Sequence, residues 1–263
     1  MRSCTEVEKL HAAMETLAKL HARWWNHPKA PPLDWLTHPT GDYHGLLLNG
    51  FVRVTKLGLA SMAKVYKKEY EPVVAWSKTL RRRHKYILQE LFRPPLTMIH
   101  GDAHIENVFY DQRFSGNCAF IDFGNMMFSQ GVYDVSFFMA HSLDVETRRR
   151  HEKEVVKHYH EVLIANGVDL RSFPYERCWR DYKFNFWRTL IAVLAMGPSI
   201  EKDHKNRTGM FAEKPSKGDQ QLREMYEKLN ERIIAALLDH KWFDLAIETT
   251  EWCGLCTCIY GCY

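Results

Sequence analysis

Two short polar segments in this chain hold residue types that could do chemistry together. The first is His100-Gly101-Asp102-Ala103-His104-Ile105-Glu106-Asn107, and the second, shortly after it, is Ile121-Asp122-Phe123-Gly124-Asn125. A carboxylate at Asp102, an amide oxygen five positions on at Asn107 and a second carboxylate at Asp122 amount to one base and two hard oxygen ligands for magnesium. Phosphoryl transfer needs that set: a carboxylate near the attacking hydroxyl and one or two magnesium ions gathering charge on the phosphates. Asp102 fits the base, Asn107 and Asp122 fit the metal ligands, and Gly124 would permit a backbone turn after the metal carboxylate.

The neighbouring polar residues divide by role. His100 is expected to be structural, packing and hydrogen bonding to hold the loop. His104 and Glu106 lie within the loop and could touch substrate or phosphate, although loop polarity accounts for them equally well. Asp134, in Gly131-Val132-Tyr133-Asp134-Val135-Ser136, opens the following helix and is placed to accept hydrogen bonds from loop amides, a supporting part with no direct chemistry.

Those side chains need elements to position them. Pro94 and Pro95 stop a helix, and Leu96-Thr97-Met98-Ile99 reads as a short strand delivering His100. Residues 107–110 and 118–121 are two further β-like runs joined by a polar turn containing Gly116 and Asn117, which predicts a hairpin. The hairpin folds Asp102, Asn107 and Asp122 back toward a common point.

Helices supply the frame. Val7, Leu10, Met14, Leu17, Leu20 and Trp24 recur at helical spacing between Thr5 and Trp25, with Thr5 and Glu8 forming a capping-box signature. Pro28, Pro31 and Pro32 end that helix, and residues 26–50 read as an irregular connection. Helical periodicity returns from Leu57 to Leu91, broken near Pro72, and dominates after Gly131 over 133–143, 146–166, 175–196 and 218–240. Gly167 and Gly197-Pro198 are expected helix stops, and 198–219 a loop. The predicted fold class is mainly α with a small β-hairpin.

Composition narrows the class further. With 263 residues, 46% hydrophobic and 26% charged, the chain can bury a sizeable core and is globular, as one large or two small domains. The net charge is +4, and its basic runs, Arg81-Arg82-Arg83-His84-Lys85 and Arg148-Arg149-Arg150-His151, are short. They read as solvated helix faces, so no nucleic-acid partner is expected. The start of the chain has no apolar signal region, and the longest apolar run, Leu190 to Met196, is far shorter than the about 18 residues of a membrane span. A soluble, cytoplasmic protein is expected. Of the seven cysteines, Cys4, Cys118 and Cys178 are scattered, and Cys253, Cys256, Cys258 and Cys262 cluster at the end. That cluster could bind a soft metal or accept acylation, but without a second Cys/His pair it reads as a tail with no shared role. The expected division is a body over 1–245 and a Cys-rich tail over 246–263.

The segments HGDAHIENVFY, FIDFGN and GVYDVSFF resemble the catalytic loop, metal loop and following helix of the aminoglycoside phosphotransferase and choline kinase-like family, relatives of protein kinases. The first helix, with Leu17-Ala18-Lys19-Leu20-His21-Ala22 and Trp24, is similar to the helix that follows the interlobe hinge in that family. The resemblance implies ATP and magnesium as cofactors, Asp102 as catalytic base, Asn107 and Asp122 as ligands of the magnesium that carries the nucleotide, Asp134 as a brace, and a small-molecule hydroxyl as acceptor. Absence of an Ala-Pro-Glu segment after Asp122 favours a small acceptor over a protein. Family members carry an N-terminal β-lobe with a phosphate-covering loop and a lysine ahead of the first helix. Here 101 residues precede Asp102, they read as helices and loops, and Gly41, Gly45, Gly50 and Gly58 do not form the close-spaced phosphate-loop pattern.

The expectation is therefore a kinase-like C-terminal lobe lacking the N-terminal β-lobe, a truncated form whose N-lobe is missing or separately supplied. Two other readings stay open. One is a non-catalytic pseudokinase or interaction module; the other is a metal-dependent phosphohydrolase built on Asp102 with His100 and His104. Asp181, Tyr182, Trp187 and Arg188 are candidate pocket residues, but a half-buried helix surface predicts the same types and they are not assigned.

Overall fold

A computed structural model describes residues 6–26, 71–80, 84–114, 116–207 and 217–248. Helix α1 (Val7–Arg23) buries Leu10, Ala13, Met14, Leu17, Ala18 and His21 along one stripe, the 3.6-residue period that its apolar spacing predicts. Glu6 stands at the N-cap with no side-chain cap bond; Thr5, read as the cap, lies outside the described residues. Helices α2 (Glu71–Leu80) and α3 (His84–Leu91) follow. Pro72 sits in the first turn of α2, where a missing N–H costs nothing. The periodic stretch before Glu71 and the connection after Asn26 lie outside the described residues.

Strand β1 (Thr97–Ile99) delivers His100, and β2 (Val108–Tyr110) pairs antiparallel with β3 (Cys118–Phe120) in the register Val108↔Phe120 and Tyr110↔Cys118. The hairpin turn is closed by Asp111 N–H donating to the Asn117 carbonyl at 3.0 Å, with Gly116 and Asn117 both at positive φ. A fourth strand, β4 (Met127–Ser129), pairs with β1 as Thr97↔Ser129 and Ile99↔Met127. Three residues between two loops carry no readable alternation, so β4 is set by its partner and not by its own pattern.

The body is a helical stack around α4 (Val132–Ser142), whose every residue is buried. A helix buried on every face must be central, and full burial of a side chain such as Phe138 or Met139 contributes about 1.5–3 kcal/mol. Helix α5 (Val145–Ala165) is capped by Asp144, which accepts from the Thr147 amide at 2.9 Å. It ends at Gly167 (φ +97), where the Val168 amide donates to Leu163 and the Gly167 amide to Ile164, the double closure of a Schellman motif. Helix α6 (Tyr175–Arg207) and helix α7 (Lys217–Asp239) complete the stack, α6 packing on both α4 and α7.

Two sequence expectations are corrected here. Helix α6 does not stop at Gly197-Pro198 but continues to Arg207, so most of what reads as a loop over 198–219 is helical as far as it is described. A proline removes one intrahelical bond, and the preceding turns, with Leu190, Ile191, Val193 and Leu194 buried, hold the helix axis. Nor is the run from Arg148 wholly a solvated face. Arg148 is 2% exposed and bonds Glu152 at 2.8 Å and also Asp239, tying α5 to α7. Glu152 in turn accepts from Tyr182 Oη and His240 Nε2, both at 3.1 Å.

Arg81 to Arg83, Cys4 and the Cys253–Cys262 cluster lie outside the described residues, whereas Cys118 and Cys178 are buried free thiols, both pushed up by burial. Among the described residues no helix is long and apolar enough to cross a membrane.

Candidate active site

The loop from His100 to Asn107 runs along α4 and is pinned at both ends of that helix. At the start, Asp134 accepts from the His100 amide at 2.6 Å and the Gly101 amide at 2.9 Å. At the far end, the Ile105 amide donates to Ser142 Oγ at 2.9 Å. Eight residues of α-helix separate those anchors, about 12 Å, so the loop between them is held nearly taut with Asp102 in the middle.

Asp134 is fully buried, and its charge is met by three donors. Besides the two amides, His21 Nε2 lies 3.2 Å from Oδ2, and His21 Nδ1 lies 2.8 Å from Tyr159 Oη. A carboxylate beside Nε2 fixes the proton there, leaving Nδ1 to accept from the Tyr159 hydroxyl. Burial raises the Tyr159 phenol well above its ordinary range, so it remains a donor. The chain Tyr159–His21–Asp134 thus joins α5, α1 and α4 beneath the loop. Gly131 leaves room for it, since a Cβ there would meet Tyr159 Oη at 2.6 Å and His21 Nδ1 at 2.8 Å.

His100, also fully buried, spends both ring nitrogens. Its Nε2–H donates to the Ile121 carbonyl at 2.8 Å, and Nδ1 accepts from the Asp102 amide at 3.2 Å. The ring lies 4.5 Å from Phe123 and 5.4 Å from Phe120. One side chain therefore couples the Asp102 loop to the Asp122 loop. Gly101 lets them approach: at φ +84 its Cβ would fall 2.0 Å from the Asn125 carbonyl oxygen, a conformation and a space that only glycine fits.

The three oxygen-bearing residues are brought onto this frame in different states. Asn107 Nδ2 donates to the Asp102 carbonyl at 3.0 Å, so the amide nitrogen is spent and Oδ1 is the atom left for a ligand. The Ile121 amide donates to the Asn107 carbonyl at 3.0 Å, which sets Asp122 one residue beyond. Asp122 is exposed and left-handed (φ 62, ψ 64), and its side chain makes no cap bond. An L-residue held at positive φ is strained, tolerated best by Asp and Asn. Gly124, expected to provide the turn, is not at positive φ and has only Asp122 Oδ1 near its Cβ position, at 3.5 Å; the turn falls on Asp122 itself because the preceding amide is tied to Asn107.

Asp102 is partly buried, and His104 Nε2 lies 3.8 Å from its Oδ1. His104 Nδ1 accepts from the Glu106 amide at 3.3 Å as the cap of the turn Ile105–Asn107, which leaves the proton on Nε2. Glu106 is exposed. Beyond His104, His141 stacks on Phe137 with centroids 3.7 Å apart and gives Nδ1–H to the Phe137 carbonyl at 2.9 Å.

Burial, followed by the charges of His104 and Arg232, pushes the His141 imidazole down to about 3. An unfolded histidine titrates near 6.5, so between about pH 3 and 6.5 the unfolded chain binds the extra proton and stability rises with pH. At pH 4.5 the shift corresponds to a loss of about 2–3 kcal/mol relative to pH 7. Urea unfolding of His141→Phe, which keeps the stack, is expected to show a pH 7 to 4.5 difference smaller by that amount. An unaltered difference would assign the acid sensitivity elsewhere.

His21, Tyr159, Gly101 and Ser142 take parts in this frame that the sequence alone did not assign. The one readable signal was His21, a histidine inside the apolar stripe of α1. Among the unassigned candidates, Tyr182 and Trp187 are core residues, and Asp181 is buried against Arg180, at 2.7 Å, with Arg93 and Arg177 farther off at 3.5 Å.

A model of the ecdysteroid kinase-like family matches residues 2–172, which take in α1, both loops, the hairpin, α4 and α5. The chain belongs to that family. No curated protein matches it. This ecdysteroid kinase-like chain is thereby placed among kinase-like phosphotransferases of small molecules, with a mainly helical fold and small antiparallel sheets.

Proposed function

We propose that the chain is an ATP- and magnesium-dependent phosphotransferase of the aminoglycoside phosphotransferase/choline kinase-like type, acting on a small-molecule hydroxyl. The observation that carries this reading is the state of the oxygens. Asp122 presents a carboxylate from a strained backbone with no hydrogen bond or ion pair of its own among the described residues, and Asn107 has committed its nitrogen and kept its oxygen. Hard oxygen donors, one anionic and one neutral, suit magnesium, which takes few protein ligands and leaves positions for phosphate. Magnesium bound there would neutralise charge on the phosphates.

Asp102 is the base of the reaction. As the acceptor oxygen bonds to the γ-phosphorus and the bond from phosphorus to the bridging oxygen of ADP breaks, the hydroxyl proton passes to the Asp102 carboxylate. His100, by donating to Ile121 and accepting from Asp102, keeps base and metal loops in register during that exchange. The phosphohydrolase reading is not favoured, because His100 has no free ring nitrogen for a metal.

The test is calorimetric binding of ATP and ADP with and without magnesium, to this chain and to Asp122→Ala. Nucleotide binding is expected to require magnesium and to weaken at least about 100-fold in the variant, more than removal of a residue behind the ligands costs. Magnesium-independent binding, or an unaffected variant, would sink the proposal.

A further inference from the structure

Among the described residues, buried charges are neutralised locally, with one exception. Arg148 meets Glu152 and Asp239, Glu90 meets Arg180, Asp181 meets Arg180, and Asp134 meets His21. Arg188 on α6 is 3% exposed and makes no ion pair among the described residues. Its guanidinium lies 3.8 Å over the Tyr133 ring and 5.0 Å from that of Phe92, and its hydrogen bonds go to Ser129 Oγ and, at 2.9 Å, to Met127 Sδ. Cation–π contacts offset only part of the desolvation of a guanidinium. A thioether is a weak acceptor on a flexible stem, a poor permanent partner for a forked charged donor.

The place is as telling as the partners. Met127 pairs with Ile99, the residue before His100, and follows the Asp122 loop within the same short stretch. Tyr133 adjoins Asp134, and its phenol, raised to about 12 chiefly by burial, feels Arg188, Asp134 and Asp102 together. Arg188 therefore stands behind the two loops, with its Nη2 edge at the half-buried thioether.

We infer that Arg188 forms an oxyanion subsite beside the Asp102–Asp122 loops, in which a phosphate or carboxylate displaces the Met127 thioether and takes the fork of the guanidinium. The inference rests on the phosphotransferase reading only for the source of that oxyanion, which is either the transferred phosphoryl group or an acidic group on the acceptor.

Inorganic phosphate and acetate are the probes, read by thermal shift and calorimetry with ionic strength matched by chloride, without nucleotide and then with magnesium and ADP. Phosphate is expected to raise the melting temperature of the unaltered chain. Arg188→Met is expected to melt no lower, because a buried unneutralised charge has been removed, while phosphate affinity falls at least about tenfold. Absence of a phosphate effect on the unaltered chain, or full phosphate affinity in a folded Arg188→Met, overturns the inference. If Arg188→Met does not fold, Arg188→Lys decides: it keeps the charge and loses the fork, so weakened phosphate binding supports the subsite and unchanged binding overturns it. Phosphate binding enhanced by magnesium and ADP identifies the transferred group as source, and acetate binding that ignores them identifies the acceptor. Magnesium-dependent ADP binding retained in Arg188→Met while phosphate binding is lost separates this inference from the assignment of Asp122, either of which can fail alone.

Discussion

Asp134→Ala is expected to destabilise the chain by about 3–5 kcal/mol, the cost of removing one partner from a buried charged network. The carboxylate it deletes accepts from the His100 amide, the Gly101 amide and His21 Nε2, and the donors of His100 and His21 are fully buried with no water to turn to. Each unsatisfied donor costs about 1–3 kcal/mol. Asp134→Asn should be nearly as damaging: an amide must turn its NH2 toward either the Gly101 amide or the pair of donors at Oδ2, placing donor against donor. Tyr159→Phe, which removes only the outer hydroxyl of the chain at 2.8 Å from His21, should cost about 0.5–1.5 kcal/mol. Urea unfolding of the three variants gives the comparison, and an Asp134→Asn protein within about 1 kcal/mol of the unaltered chain would show that the network does not hold the loop.

Asp102→Asn should leave the fold intact and the chemistry nearly gone. The loop does not depend on this side chain: its amide is held by His100 and its carbonyl by Asn107, both backbone contacts that survive the substitution. What is lost is the carboxylate that takes the acceptor proton, a contribution of about 10²–10⁴ in rate for a positioned base. Magnesium-dependent turnover of ATP, with an acceptor or with water, is expected to fall by that factor while ADP affinity stays within about threefold, since base catalysis is not ground-state binding. A fall in affinity equal to the fall in rate would mean that Asp102 holds metal or nucleotide instead.

The frame behind these residues was legible only where its causes are local. The hairpin around Gly116 and Asn117, the strand before His100 and the α5 stop at Gly167 each follow from turn chemistry or periodicity within a few residues. Gly124 was singled out for a turn that falls on Asp122, because the tie between the Ile121 amide and the Asn107 carbonyl, which fixes that turn, joins residues that flank the two different strands of the hairpin. The indispensable glycine is Gly101, for a reason visible only when Asn125 is folded against it. Strand β4 has no pattern of its own, and α6 runs past Pro198 although proline and glycine there read as a stop.

By itself, the sequence determined the helical class, the hairpin and the order of a carboxylate, an amide and a second carboxylate, because spacing along one loop and its hairpin constrains those residues whatever else the chain does. The tertiary structure decided which side chains stand behind them. His21, Asp134 and Tyr159 lie on three helices and meet through bonds spanning 113 and 138 residues, and Arg188 reaches β4 across 59. No periodicity encodes such meetings, since they depend on how the helices pack around α4 and on the need of every buried polar group for a partner.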